Sequence, residues 1–542
     1  MKLRLLSKPD KTAHQVPTQN VPLGLPKSVK SICPVCSEVI DANILEEYNK
    51  VVMRKTCKKH GEVYDIISND VELYLDIEKW AFEDFKGIEN PQIKNATKCP
   101  QQCGLCNLHI SNNCLVNIDL TNRCNLNCPI CFANANKKGY VYELSFEQAV
   151  KCLETAKLIK PLDYHAVQFS GGEPTIHPRF LDIVKKAKEM GFKHIQIATN
   201  GIKIAQDLEF ARKCKEYGIY TLYLQFDGVG EEVYYKTRGV PLFNDIKKKV
   251  IENCRKVGLK VVFVPTVVKT INDQKVGEIF NYAVENADVV SGVAYQPVSF
   301  CGRISEKERL KKRYTTYDLA HDLEKQTGYI KARKNWNSLA VTMPMSRLMS
   351  FLYGKMHIHI SCHSNCGSGE YFFVNLKDKR VIPMTEAVNL RELMRNFNEI
   401  VDSIGKSTVT TKAYVTMKAL NALRKNFNKE KMPKEFTLKT FLITLGRLVN
   451  KTVYDKFKSH PWTMSFAAGM HFQDKYNLNI DRLRRCVIHY AAPNGMLYPF
   501  CNYNSGMVFR EMIERKFAVP LEKWERERGS EYITTGFYKA KA

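Results

Sequence analysis

The stretch "LVNIDLTNRCNLNCPIC", residues 115–131, decides how this chain is read. Its first half has the apolar alternation of a β-strand, and the strand runs directly into a loop carrying Cys124, Cys128 and Cys131. Three thiolates spaced Cys-x3-Cys-x2-Cys on a short irregular loop suit three corners of a cubane [4Fe–4S] cluster. A cluster held by three cysteines keeps one iron open for a substrate or cofactor. A cluster held by four is closed, and serves electron transfer or support. The same spacing recurs upstream in "KCPQQCGLC", residues 98–106, as Cys99, Cys103 and Cys106.

The surroundings separate the two loops. Cys114 follows Cys106 by eight residues, so Cys99, Cys103, Cys106 and Cys114 are able to close a cluster by themselves. After Cys131 the next cysteine is Cys152, inside "SFEQAVKCLETAKLIK", where Phe146, Ala149, Val150, Leu153 and Ala156 recur at helical spacing. Cys152 is a poor fourth ligand. The Cys124 loop also leaves the C-terminal end of a strand, where β/α barrels build active sites. Forty residues beyond Cys131, "HAVQFSGGEPT" ends another strand in Gly171-Gly172-Glu173-Pro174. Two glycines allow the backbone to approach a ligand closely, and a glutamate binds an ammonium group. The Cys124 loop is read as the reactive one.

This pairing of a cysteine triplet with a following GGEP resembles the radical S-adenosylmethionine (SAM) superfamily. The resemblance implies that SAM chelates the open iron and is cleaved to a 5′-deoxyadenosyl radical that abstracts hydrogen. It implies an α/β fold with a partial (β/α)6 barrel. "FKHIQIATNG" (192–201), "TLYLQFDG" (221–228), "KVVFVPTVV" (260–268) and "VVSGVAYQPVSF" (289–300) read as strands, and with 115–123 and 164–170 they make six βα units. By resemblance, Gly171, Gly172 and Glu173 line the SAM amino group. Asn200, Gln225 and Asp227, at later strand ends, are candidates for ribose or carboxylate contacts, and each equally suits a capping or turn role. Ile130 stands where the superfamily often has an aromatic residue, and its backbone can still meet the adenine. No catalytic side chain is expected beyond the cluster and SAM ligands.

Eighteen cysteines in a chain expected to be cytosolic point to metal rather than disulfides. Fourteen fall into groups with ligand-like spacing, while Cys152, Cys214, Cys254 and Cys301 are scattered and read as packing residues. Near the N-terminus, Cys33-x2-Cys36 and Cys57-x2-His60 are two knuckles suited to one tetrahedral Fe or Zn, a rubredoxin-like module in which His60 replaces a cysteine. Cys362 and Cys366, with the distant Cys486 and Cys501, make a second auxiliary cluster or two unrelated pairs; cysteines are preferred there to His363 and His489. The cofactor set is then SAM, three [4Fe–4S] clusters (one radical SAM, two auxiliary) and one mononuclear Fe or Zn. The chain divides into a metal-knuckle module (1–90), an auxiliary cluster loop (91–115), the partial barrel (116–305) and a mixed, helix-rich auxiliary-cluster domain (306–542).

The 542 residues carry a net charge of +26, a field that favours nucleic acid or anionic lipid headgroups without choosing between them. The longest apolar runs fall far short of the roughly 18–20 residues of a membrane span. "MKLRLLSKPDKTAHQ" turns polar too early for a secretory signal, so a cytoplasmic protein is expected; the charge leaves peripheral contact at the membrane surface open beside it. Residues 402–460 read as a basic amphipathic insert, with Phe441, Leu442, Leu445, Leu448, Val449 and Val453 spaced among Lys439, Arg447, Lys451, Lys456 and Lys458. Such helices lie on a membrane, wrap an apolar ligand, or simply face a core. A methionine-rich stretch, Met343, Met345, Met349 and Met356, suits an adaptable channel or a plain core.

Over nearly the whole chain, the order "CPVC…KTCKKHG", "CPQQCGLCNLH", "LTNRCNLNCPICFANAN", "QFSGGEPT" and "RCVIHY…PFCNYN" resembles the archaeal tetraether lipid synthases. That resemblance implies coupling of the terminal methyl carbons of isoprenoid chains in archaeal diether phospholipids. Its expected partners are the phospholipid and a low-potential donor such as a ferredoxin, with no nucleic acid. The alternative keeps the fold and changes the substrate: a radical SAM methyltransferase or modifier of a small molecule such as a pterin. Peptide maturation, RNA modification and a pure electron-transfer role rank below these.

Overall fold

The computed structural model describes residues 22–81, 87–404, 408–449, 451–457, 459–506, 509–528 and 538. The N-terminal stretch read for a signal, Lys458, and the side chains of Leu448, Val449 and Lys451 lie outside that description.

Strands β1 (Lys27–Ile32), β2 (Val39–Glu47), β3 (Lys50–Cys57) and β4 (Gly61–Ser68) form an antiparallel meander in that order. Tyr48 and Asn49 both have positive φ, the backbone a tight two-residue hairpin demands. Arg313 docks this module on the rest of the protein. It lies fully buried between Asp65 of β4 and Asp474, donating to Asp474 Oδ2 at 2.7 Å and to Asp65.

The central sheet contains six parallel strands: β5 (Leu115–Thr121), β6 (Ala166–Gly171), β7 (His194–Thr199), β8 (Ile219–Gln225), β9 (Lys260–Val264) and β10 (Val290–Pro297). They neighbour one another in chain order, as short right-handed βα connections dictate. Every second residue is apolar and buried: Val116, Ile118, Val167, Phe169, Ile195, Ile197, Leu222, Leu224, Val261 and Phe263. Helices Phe146–Lys157, Phe180–Glu189, Leu208–Tyr217, Lys248–Val257 and Val276–Glu285 contribute to the same core. The alternate rows are largely polar on β5–β8: Asn117, Asp119, Gln168, Ser170, His194, Gln196, Thr221, Tyr223 and Gln225, with Leu115, Ala166 and Ala198 among them; on β9 they turn apolar at Val262 and Val264, opposite Tyr223 and Gln225. A parallel sheet covered by helices on both faces is apolar on both, so this polar face has another use.

Segments beyond residue 305 return to the same sheet. Strand β11 (Gly367–Asn375) pairs antiparallel with β12 (Trp462–Met470), which lies parallel to β10. At the opposite edge β13 (Ile488–Ala491) lies parallel to β5, and β14 (Leu497–Pro499) closes the run, so the sheet is mixed. Helices Met343–Tyr353, Leu390–Asp402, Val409–Asn426 and Leu438–Val449 surround a second core that includes Met343, Leu348, Phe397, Leu423, Phe441 and Trp462. The amphipathic spacing of the insert is therefore used for packing. Among the described residues, no helix is long and apolar enough to cross a membrane.

Candidate active site and metal centres

The loop from Cys124 to Cys131 follows β5, and the Gly171–Glu173 turn follows β6 beside it. The two turns are stitched together: Gly172 N donates to Thr121 O at 2.7 Å and Glu173 N to Arg123 O at 2.9 Å. A Cβ on Gly171 would overlap Thr121 O, and one on Gly172 would overlap Arg123 O. Gly171 also has φ +130, where side chains are strained. The close approach made by these glycines is to the cysteine loop itself. Arg303 clamps the loop from the other side, donating to Cys128 O and Asn127 Oδ1 at 2.7 Å each, and to Ala135 O. Ile130 packs beside Val268, Val298 and Phe300.

Glu173 is buried, and burial pushes its carboxyl up. It accepts from Thr175 Oγ1 at 2.6 Å, Thr199 Oγ1 at 2.8 Å and Asn200 N at 2.8 Å. Asn200 donates to Asn125 Oδ1 at 2.7 Å, within the cysteine loop. Gln225 donates to Asp227 at 2.8 Å, and Asp227 accepts from Arg238 Nε at 2.6 Å and Thr237 Oγ1 at 2.8 Å. Two residues here escaped sequence reasoning. Arg238 is held by Asp227 against Cys128, whose thiol burial raises and the guanidinium pulls back. Lys247, in the run "IKKK", reads as a surface lysine. It is buried, donates to Asn200 O at 2.6 Å and Gln225 Oε1 at 2.9 Å, and burial lowers its pKa to about 7.

Burial raises the thiols of Cys124 and Cys128, so their ionised forms need a compensating cation, as a cluster iron supplies. The same holds upstream: Cys99 and Cys103 are pushed up to about 12, and both line a cavity with Cys106, His109, Arg484 and Asn502. Cys114 lies elsewhere. Its amide donates to Val487 O at 2.8 Å, and nearby Ser111 Oγ donates to Ser361 O at 3.0 Å. Its charge acts on Cys362, which also feels Cys366 and Cys486. Cys501 in turn feels Cys366. The structure thus gathers Cys114, Cys362, Cys366, Cys486 and Cys501, and leaves three cysteines around the upstream cavity. The buried side chains of Asn113 and Ser364, next to these cysteines in the chain, and His471 Nε2, whose own amide donates to Cys366 O at 2.9 Å, have no hydrogen-bond partner, as expected where a polar or inorganic group belongs. His489 is engaged otherwise: Tyr164 OH lies 2.6 Å from its Nδ1, and His109 Nε2 3.3 Å from its Nε2. Cys152 and Cys214 are buried with thiols at about 12, inert packing residues, and Cys254 is raised likewise.

In the N-terminal module the ligand atoms of Cys33, Cys36, Cys57 and His60 all lie within 4.8 Å of one another. Cys36 Sγ and Cys57 Sγ are 3.9 Å apart, against about 3.8 Å across the edge of a tetrahedron with 2.3 Å Zn–S bonds. His60 Nδ1 is 3.5 Å from Cys33 and from Cys57. Burial pushes the Cys33 thiol up, but the amides of Cys36 and Val35 outweigh it and hold it low. The Lys59 amide holds Cys57 low. The four donors fit one metal ion.

Residues 118–283 match the family model of the radical SAM superfamily, and residues 25–69 that of the HMPTM N-terminal zinc ribbon domain. Fold and site together define a radical SAM enzyme, with a SAM-binding [4Fe–4S] cluster and an N-terminal zinc ribbon. A 7,8-dihydro-6-hydroxymethylpterin dimethyltransferase of Methanocaldococcus jannaschii is 42% identical over 502 residues, covering 92% of this chain and 97% of its own. The chain belongs to the family of that dimethyltransferase. A GTP 3′,8-cyclase of Clostridium acetobutylicum is 28% identical over 36% of this chain and 59% of its own. An Fe-coproporphyrin III synthase of Methanosarcina barkeri is 34% identical over 30% and 38%.

The full-length match overturns the narrower resemblance to tetraether lipid synthases, and with it the expected phospholipid, membrane-surface and ferredoxin partners. The signals behind that expectation have a structural account. The insert's apolar faces and several of the methionines, Met343 among them, build the second core.

Proposed function

We propose that this enzyme modifies a reduced pterin by radical SAM chemistry, as a methyltransferase. The single observation that carries this is the 42% identity to a pterin dimethyltransferase along 97% of that relative's length. The polar face of the central sheet agrees with a polar, compact substrate.

When bound on the open iron, SAM supplies on reduction a radical able to abstract hydrogen from an unactivated carbon. Cys124, Cys128 and Cys131 would hold the cluster, as their spacing and the raised thiols support. Gly171 and Gly172 bring the Glu173 turn against that loop; the Glu173 carboxylate is buried and held by Thr175, Thr199 and Asn200, and through Asn200 and Asn125 this network would position the amino group beside Cys124. Gln225 and Asp227, with Arg238 and Lys247 between them, provide the polar and cationic groups for ribose and carboxylate. The six parallel strands form the partial barrel; the loop of residues 91–115 would hold one auxiliary centre through Cys99, Cys103 and Cys106, and residues 306–542 would bring most of the other, the group around Cys362. Cys33, Cys36, Cys57 and His60 hold the ribbon's zinc or iron. The divisions at 90, 115 and 305 follow these roles.

Anaerobically reconstituted enzyme given SAM, dithionite and 7,8-dihydro-6-hydroxymethylpterin should release 5′-deoxyadenosine and yield methylated pterin by mass spectrometry. Cys128→Ala should abolish both. Steady release of 5′-deoxyadenosine with unchanged pterin would overturn the substrate while leaving the enzyme class intact.

A further inference from the structure

Apart from Gln225, the polar face of the parallel sheet is used by none of the groups assigned above, and its central row is built in an orderly way. Asn117, Gln168 and Gln196 stand directly opposite one another on β5, β6 and β7. Their amides form a ladder: Gln168 Nε2 donates to Asn117 Oδ1 at 2.9 Å, and Gln196 Nε2 to Gln168 Oε1 at 2.6 Å. His194 Nε2 lies 2.9 Å from Gln196 Oε1 and completes the far end. At the near end Asn117 Nδ2 has no partner, although the residue is only 1% exposed. A buried amide donor without a partner is rare and points to a group that belongs against it.

Asn117 and Gln196 are closed over, at 1% and 3% exposed, and the row opens at Gln168, which is part-exposed. Tyr371, in the middle of β11 and paired with Phe466 of β12, keeps 43% of its surface exposed. Its hydroxyl is raised by burial, with Cys114 the next cause, so Tyr371 stands on the side of the sheet toward which Cys114 lies. Tyr223, on the same face two residues along β8 from the row, is pushed up to about 12 by burial, with Tyr371 and Cys114 the next causes. The Tyr371 and Phe466 rings lie 6.1 Å apart. At about 3.3 Å per residue, Asn117 stands roughly 10 Å from Cys114 and roughly 13 Å from Thr121, where the reactive loop begins. The row therefore lies between the reactive cysteines and the group that includes Cys114.

We propose that Asn117, Gln168 and Gln196, with Tyr223 and Tyr371, are the substrate seat, and that it takes a planar heterocycle with an amide-like donor–acceptor edge. This rests on the pterin reading above and gives it a place. Asn and Gln offer donor and acceptor together, matching such an edge in register. An aliphatic chain along the same row would leave the Asn117 Nδ2 donor buried and unpaired, an uncompensated cost. The aromatic side chains supply the flat apolar contact that a ring system needs.

The test titrates 7,8-dihydro-6-hydroxymethylpterin into reconstituted holoenzyme by calorimetry, comparing wild type with Gln168→Leu and Gln196→Leu, and with iron content and visible spectrum as checks of integrity. Both variants should bind at least tenfold more weakly with iron unchanged. Equal binding by wild type and variants would overturn the seat and leave the pterin reading standing. Failure of the wild type to bind would overturn the pterin reading itself. Should the variants lose iron, hydrogen exchange on the wild type decides: pterin must slow exchange in β5–β7 and β11, and protection confined to other elements overturns the proposal.

Discussion

The Gly172 amide donates to the Thr121 carbonyl at 2.7 Å, so the turn after β6 is bonded to the residue where the reactive cysteine loop leaves β5. The Gly-Gly-Glu motif thereby acts on the cysteines through backbone contact. Gly172→Ala would drive a methyl into Arg123 O and part the two turns. We expect the variant to lose iron at the Cys124 centre and all SAM cleavage while keeping its ribbon metal, measured by iron analysis, EPR and 5′-deoxyadenosine release.

Asp227 is fully buried and holds Arg238 with two hydrogen bonds, at 2.6 and 2.9 Å. Asp227→Ala leaves an uncompensated guanidinium beside Cys128, and breaking a buried pair in this way costs about 3–5 kcal/mol. The expected outcome is a marked loss of thermal stability, checked by calorimetry. The double variant Asp227→Ala/Arg238→Met should recover much of it, because neither partner of the pair then leaves its charge buried alone.

In the ribbon, Cys57→Ser removes one of four converging ligands. Metal analysis should show one equivalent fewer per chain, with the iron–sulfur absorption retained. The ribbon is pinned at Asp65 by Arg313, so the loss should also lower the melting temperature and expose β3 and β4 to proteolysis. Unchanged metal content would refute the assignment.

Glu370 on β11 is buried, and burial raises its pKa from 4.5 to about 8, against the opposing hydrogen bond from Thr385 Oγ1 at 2.9 Å. The folded pKa lies above the unfolded one, so the folded state holds the extra proton between these values. Stability should therefore fall as pH rises from about 4.5 to about 8, and stay low above that. Glu370→Gln should match wild type at low pH and exceed it above pH 8, read as melting temperature against pH.

Much of the fold was legible because it is written locally. The segments 115–123, 164–170, 192–201, 221–228, 260–268 and 289–300 were read as strands, and each contains most of one of β5–β10. The alternation that reveals a strand also shows its polar face, and "VNID", "VQFS" and "IQIA" already place Asn117, Gln168 and Gln196 in one phase. The strands β12 and β13 were not legible as members of that sheet, because their parallel partners lie far off in the chain: Ala467 stands opposite Val293, and Ile488 opposite Leu115. Amphipathic spacing in the insert was legible, but spacing states only that one face is apolar. A lipid surface and a second core satisfy it equally, and the packing around Phe441 and Leu423 is what distinguishes them.

By itself the sequence determined the chemistry: the cysteine triplet, the Gly-Gly-Glu turn at the next strand end and the four ribbon ligands are set by short spacings within the chain. Tertiary structure alone decided which distant groups meet. Cys114 is brought to the Cys486 segment because β5 is laid against β13, and Ser111 ties the same stretch to Ser361 next to Cys362; Lys247 is buried where Asn200 and Gln225 accept its hydrogen bonds. The physical reason is one of range. A spacing constrains residues within a turn or two of each other, whereas the burial of a charge or thiol depends on which remote groups fold close enough to compensate it.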